Sequence, residues 1–227
     1  MPAELPEAGA EDRLRNSAAA ARACTLCAAH LPLGPNPIFR TSTEARLLIV
    51  SQAPGTRAHE SGIPWEDASG DRLRDWLGLD KLRFHDPALV AILPTGFCYP
   101  GRLPRGGDAP PRPECAPLWH RRLLEPMRAI RLTLLIGRHA VGGWLGTAAA
   151  GRLEHTVRNF ATHLENGLFP LPHPSWRTRV WAEKRPWFAA EVLPALRLAV
   201  ATALAKPSTL EDMAENRGGV SPRLPAS

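Results

Sequence analysis

The sequence predicts an α/β fold in three layers (α/β/α), with helices covering both faces of a short, mainly parallel four-stranded sheet. Two patterns carry this expectation. Four brief apolar runs, Leu47–Val50, Ala88–Leu93, Leu132–Ile136 and Phe169–Leu171, alternate with stretches of helical character; that alternation is the signature of a parallel sheet buried on both faces. Further on, Phe188, Val192, Leu196, Val200 and Leu204 recur every fourth residue and lay one apolar stripe along a long helix.

In chain order, residues 12–29 are rich in Ala and Arg and read as a helix with Cys24 and Cys27 at its end. Leu47–Val50, followed by turn formers, reads as the first buried strand. Ser69 or Gly70 opens a helix through Leu73, Trp76 and Leu77, and Ala88–Leu93 forms the second strand. A helix over Ala116–Met127 precedes the third strand, Leu132–Ile136, and a helix over Arg138–Leu145 follows it directly. Phe169–Leu171 is a fourth, brief strand. Pro and Gly cluster in Leu31–Pro37, in Pro100–Pro113 and around Pro170–Pro174, which marks long, rigid loops. Residues 12–205 are expected to form one domain. Residues 1–11 and 206–227 are polar and Pro-containing, lack apolar periodicity, and read as disordered tails.

A chain of 227 residues can bury a real core. No apolar run approaches the ~20 residues needed to cross a bilayer, and the stretch before Cys24 is acidic without an apolar segment. A soluble, cytoplasmic protein with no membrane partner is expected. The net charge is +6 and arginine greatly outnumbers lysine. An arginine-biased surface fits a polyanionic partner, because the guanidinium pairs with phosphate through two parallel hydrogen bonds. A merely solubilising surface is the alternative.

The four cysteines are the most informative residues. Cys24 and Cys27 form a C-x-x-C pair, while Cys98 lies in Gly-Phe-Cys-Tyr-Pro-Gly and Cys115 in Pro-Glu-Cys-Ala-Pro. Two distant pairs predict four sulfurs meeting at one point, which suits zinc or an iron–sulfur cluster. Two disulfides or unrelated buried thiols are the alternatives, and disulfides rarely persist in a reducing cytoplasm.

In parallel α/β sheets, ligands bind outside the carboxyl ends of the strands. That rule selects the loops after Val50, Leu93, Ile136 and Leu171. They contain Ser51-Gln52-Ala53-Pro54-Gly55 with Gly62-Ile63-Pro64-Trp65 further along, Pro94-Thr95-Gly96-Phe97-Cys98, and Pro172-His173-Pro174-Ser175. With these motifs and the order of its four cysteines, the chain resembles the uracil-DNA glycosylase superfamily, especially its iron–sulfur branch, from about Cys24 to about Val200. The run Ser69-Gly70-Asp71-Arg72-Leu73-Arg74 and the segment around Cys115 also look like a divergent bacterial subgroup.

The resemblance implies a nucleoid-associated, monomeric repair enzyme acting on uracil-containing DNA, with a 4Fe–4S cluster on Cys24, Cys27, Cys98 and Cys115, zinc being the alternative. His173 matches the histidine that donates a hydrogen bond to the departing base, so it would stabilise charge that grows only as the bond breaks. Trp65 stands where the family has phenylalanine and could stack on the flipped base. Gln52, Ala53 and Gly55 match the first motif and would contact the base or its water. Two departures are evident. Ala53 fills the slot where relatives often carry a water-orienting polar side chain, which leaves His59, Asp67 and Glu60 as candidates. Pro94 replaces an asparagine that reads the base edge, so the backbone of Thr95, Gly96 and Phe97 is expected to take over. Ser175, Trp176, Arg177 and Arg179 would meet DNA after the His-Pro-Ser turn, Trp176 as a wedge, with Arg102, Arg105 and Arg112 as further phosphate contacts. No lysine lies in the matched motifs, which implies hydrolysis without Schiff-base strand cleavage. A binder of damaged or abasic DNA and a glycosylase for hypoxanthine or xanthine are the other readings.

Overall fold

The computed structural model describes residues 9–104 and 106–206. The chain folds into a four-stranded, fully parallel sheet of order β2-β1-β3-β4, built from β1 (Leu47–Val50), β2 (Val90–Ile92), β3 (Leu132–Ile136) and β4 (Leu168–Leu171). The connection from β1 leads outward to β2 and the one from β3 leads outward to β4. The chain therefore reverses its direction of winding between β1 and β3, which is where such folds open a crevice.

Alternation along the strands separates two cores. Leu47 and Ile49 of β1 join Leu134, Ile136 and Phe169 on one face, under α3 (Ala68–Leu77) and α11 (Leu193–Leu204). Leu48 and Val50 face the other way, with Ala91 and Leu135, under α1 (Ala10–Arg22), α5 (Cys115–Leu124) and α6 (Gly137–Leu145). The three-layer architecture expected from the sequence is the one observed.

The stripe Phe188, Val192, Leu196, Val200 and Leu204 is buried throughout. It spans two elements rather than one helix: a π turn over Phe188–Val192 leads into α11. Pro194 supplies the reason, because it has no amide to donate and its ring crowds the preceding turn, which the wider π turn accommodates. No side-chain cap starts α11. Each buried aliphatic contributes about 1.5–3 kcal/mol, against about 1 kcal/mol for a cap, so packing on the sheet holds this helix. Among the described residues no single helix is long and apolar enough to cross a membrane.

Several boundaries differ from expectation. The tails fall almost wholly outside the described residues, yet α1 opens at Ala10, where Glu11 and Asp12 in the first turn complement the helix dipole. It ends at Arg22, so Cys24 and Cys27 are not on the helix. They occupy the turn after it, ahead of a 3-10 segment over Ala28–His30, and both line one small cavity. Shorter helices α2 (Thr56–Ser61), α4 (Lys81–His85), α7 (Thr147–Gly151), α8 (Leu153–Arg158), α9 (Phe160–Leu164) and α10 (Trp176–Glu183) fill segments without a strong apolar period.

The two rims of the sheet are unlike. On β2, Arg40 forms an antiparallel bridge with Ile92, exchanging both backbone hydrogen bonds at 2.8 Å. On β4, the Gly167 carbonyl accepts from Thr133. By the alternation of peptide groups, Phe169 therefore also faces β3, while Leu168 and Pro170 turn outward.

Candidate active site and cysteine cavity

All four loops at the carboxyl ends of the strands contribute to one cavity of about 630 Å³. Gln52, Ala53 and Gly55 come from the loop after β1, Pro94 from that after β2, Arg138 from the start of α6, and His173 and Ser175 from the loop after β4. Trp65 and Asp67 close it from the segment before α3. The volume lies within the range of roughly 300–1,000 Å³ usual for small-ligand pockets.

Trp65 and His173 stand together, 108 positions apart in sequence, with ring centroids 5.6 Å apart and planes 28° from parallel. Trp65 is the one described non-glycine residue with positive φ, at 62°, a conformation that costs a bulky side chain energy and must be held by its surroundings. Those surroundings are the Ser69–Arg74 run. Gly70 packs so closely that a methyl group there would come within 1.9 Å of the Trp65 carbonyl oxygen. Arg74, nearly buried, donates to that same oxygen at 3.2 Å and pairs with Asp71 at 2.5 Å. Arg72 reaches across to donate to the Pro174 carbonyl at 2.8 Å, bracing the loop that carries His173. One helical turn thus positions both walls of the cavity.

The His173 backbone carbonyl accepts from the Ser175 amide at 2.7 Å and from the Thr178 hydroxyl at 2.5 Å. Neither ring nitrogen bonds to a described side chain, so the ring is left to the cavity. Burial pushes its pKa below the ordinary histidine value, and Asp67 partly opposes that shift. The imidazole is therefore neutral at neutral pH and retains one N–H to donate. Asp67 also caps α3, its Oδ1 accepting from the Gly70 amide at 2.8 Å.

Other sequence candidates lie elsewhere. His59 does not line the cavity: on α2 its ring turns toward Tyr99, with centroids 6.1 Å apart, and its carbonyl accepts from Asn36. Glu60 is exposed. The backbone amides expected to read a base edge are already engaged. The Thr95 amide donates to Ser51 O, the Gly96 amide to Gln52 O and the Phe97 amide to the Cys115 sulfur, while the Phe97 carbonyl accepts from Ile38. The Phe97 side chain is buried between Phe39 and His120. Even the Pro94 carbonyl is occupied, by Nε2–H of His120 at 2.9 Å.

Trp176, 68% exposed, and Arg177 stand at the mouth of the cavity in the first turn of α10, with the Arg177 guanidinium 5.2 Å from the indole centroid. Arg179 instead forms an exposed pair with Glu183, and Arg112 is held by Glu114 beside Cys27. Arg102 sits on the hairpin beyond the cavity, and Arg105 lies outside the described residues. Two charged lining residues were not singled out from sequence. Arg138 follows β3 directly, so the strand-end rule pointed at its loop. Asp108 is carried in by a Gly-Gly hairpin, and nothing in the sequence pattern signals that.

Cys24, Cys27, Cys98 and Cys115 line a second, small cavity together with Ala21, Leu31, Phe97 and Trp119. No disulfide joins them. Burial pushes the Cys115 thiol up to about 12 and raises Cys27 and Cys98 as well, and the neighbouring thiols add to each shift. The 3.3 Å bond from the Phe97 amide to the Cys115 sulfur favours its thiolate. Among the described residues, no set of three or more His, Cys, Asp or Glu is arranged to hold a metal ion.

The strand-end loops of the parallel sheet thus gather an aromatic ring, a neutral histidine and an amide side chain into one cavity. The family model described as the uracil DNA glycosylase superfamily matches residues 39–197. The chain belongs to that superfamily, whose members are DNA glycosylases.

Proposed function

We propose that the protein is a monofunctional glycosylase that hydrolyses the N-glycosidic bond of uracil in DNA after flipping the nucleotide. The observation that supports this most is that Trp65 and His173 stack side by side within the cavity. An indole face offers base stacking worth about 1–3 kcal/mol. The neighbouring imidazole offers a neutral N–H to the pyrimidine oxygen on which charge develops as the bond breaks. The Gln52 side chain, with no hydrogen bond to a described residue, has both a donor and an acceptor for the base edge. Trp176, Arg177 and Arg138 line the cavity; Trp176 would fill the gap left in the stack, and the two arginines would hold phosphates. No lysine is among the described residues lining the cavity, which disfavours a Schiff-base step.

The test is base release from oligonucleotides carrying uracil, hypoxanthine, xanthine or an abasic site, single- and double-stranded, followed by alkali. Release of uracil in preference to the other bases is expected. Retention of abasic DNA without turnover would instead support a product-binding protein.

The four cysteines that line the second cavity would hold a 4Fe–4S cluster in this reading, zinc being the alternative. The cluster's contribution would be architectural, tying the turn after α1 to the Cys98–Cys115 loop. Protein purified without oxygen is expected to be brown, to absorb near about 400 nm and to hold about four irons per chain. Cys98→Ser should abolish the colour and lower the melting temperature. A colourless protein with one zinc would overturn this assignment.

A further inference from the structure

We propose that Asp108 accepts the proton of the water that attacks the sugar, a role that rests on the glycosidic hydrolysis proposed above. Hydrolysis needs a water at C1′ and a place for its proton. Among the described residues, the ionisable side chains lining the cavity are Asp67, Asp108, Arg138, His173 and Arg177. A guanidinium has no lone pair with which to take the water's proton, and His173 is the donor on the side of the base. Two carboxylates are left. Asp67 has one oxygen engaged by the Gly70 amide as the cap of α3. Asp108 has no side-chain hydrogen bond or ion pair with a described residue, and its Oδ2 abuts the tip of the first loop, 3.8 Å from where a methyl group on Gly55 would sit. That loop has alanine at position 53, so it brings no acidic side chain of its own.

The hairpin carrying Asp108 is built for this placement. Arg102 and Asp108 pair as an antiparallel bridge, the Leu103 amide donates to Gly107 O and the Gly106 amide to Leu103 O, each at 2.9 Å. Gly106 and Gly107 both have φ of +85°, which side chains rarely adopt, so the turn that aims the carboxylate depends on glycine. The charged or titratable groups around Asp108 are Arg102 on its own hairpin and Asp67 before α3, which act on it directly, and Arg138 on α6, His173 after β4 and Arg177 on α10, which line the same cavity. Partial burial raises the Asp108 pKa above the ordinary aspartate value; Arg102 opposes the shift and Asp67 adds to it. The result is a stronger base than a solvated aspartate.

In the step itself, the water oxygen bonds to C1′ as the bond from C1′ to the base nitrogen breaks. The bonding pair leaves with the pyrimidine, whose charge the His173 N–H stabilises. One water proton passes to Asp108. The base anion is then protonated from solvent, Asp108 returns its proton there, and an abasic sugar with a 1′-hydroxyl remains.

The experiment compares single-turnover uracil release by the full chain, by Asp108→Asn and by Asp67→Asn from about pH 4.5 to 8, alongside binding of a non-cleavable 2′-fluoro-deoxyuridine strand. Wild type should lose rate as pH falls through the Asp108 pKa. Asp108→Asn should be slower by about 100-fold or more, lose that acid limb, and bind the non-cleavable strand within about threefold of wild type. Asp67→Asn should keep the acid limb. If wild type releases no uracil, the uracil reading fails and this role falls with it. If wild type is active and Asp108→Asn keeps its rate and acid limb, or loses only DNA binding, the role of Asp108 alone is overturned.

Discussion

His173→Ala is expected to slow single-turnover release of uracil by about 100- to 1,000-fold, the usual cost of removing one preorganised donor from a developing anion. The loss should fall on the chemical step, with little change in affinity for a non-cleavable strand, because the hydrogen bond strengthens only as charge moves onto the base. The enclosed imidazole has a lowered pKa and is already neutral above the ordinary histidine range. Its own titration should therefore leave the wild-type rate flat from about pH 6.5 to 8. His173→Gln, which keeps an N–H donor, should recover part of the rate. An alanine variant as fast as wild type would remove His173 from the reaction.

The second large effect is expected at Gly70→Ala. The added methyl would meet the carbonyl oxygen of Trp65 at 1.9 Å and its carbonyl carbon at 2.7 Å. Both are backbone atoms, so no side-chain rotation relieves the contact. The chain around Trp65 must move, and with it the left-handed conformation that directs the indole toward His173. A cost of about 3 kcal/mol is expected for overpacking of this severity, or a fall in melting temperature on the order of 10 °C for a domain this size. Base release should drop as well, because Arg74 loses its acceptor geometry at Trp65. Melting within two or three degrees of wild type, with base release intact, would show that the Trp65 segment is not held by this contact.

The strands were legible because a sheet buried on both faces leaves uninterrupted apolar runs, and the terminal stripe because one face of a long helix packs on that sheet. The short helices α7, α8 and α9 were not, since each has five or six residues and no side-chain cap, and tertiary contacts rather than their own pattern fix them. The site divides along similar lines. Sequence indicated which loops reach the rim, and Gln52, Trp65 and His173 are found there together. It could not indicate which way side chains turn within those loops. His59 shares its segment with the cavity-lining Ala58 but faces Tyr99, Phe97 points into the core, and Asp108 arrives by a hairpin whose glycine conformations leave no trace in hydrophobic periodicity. The Ser69–Arg74 run was visible as a motif, while its purpose, holding Trp65 and the Pro174 carbonyl at once, depends on contacts made in three dimensions.

The outward turn of Pro170 and the Arg40 bridge on β2 have a consequence for how copies of this protein meet. An open parallel sheet ends in two unprotected ladders, the template on which another chain can zip on and begin a fibril. Here one border lacks the amide that a docking strand would need, and the other already carries a partner from its own chain. Crowding at high concentration should accordingly not extend this sheet from molecule to molecule while the native state persists.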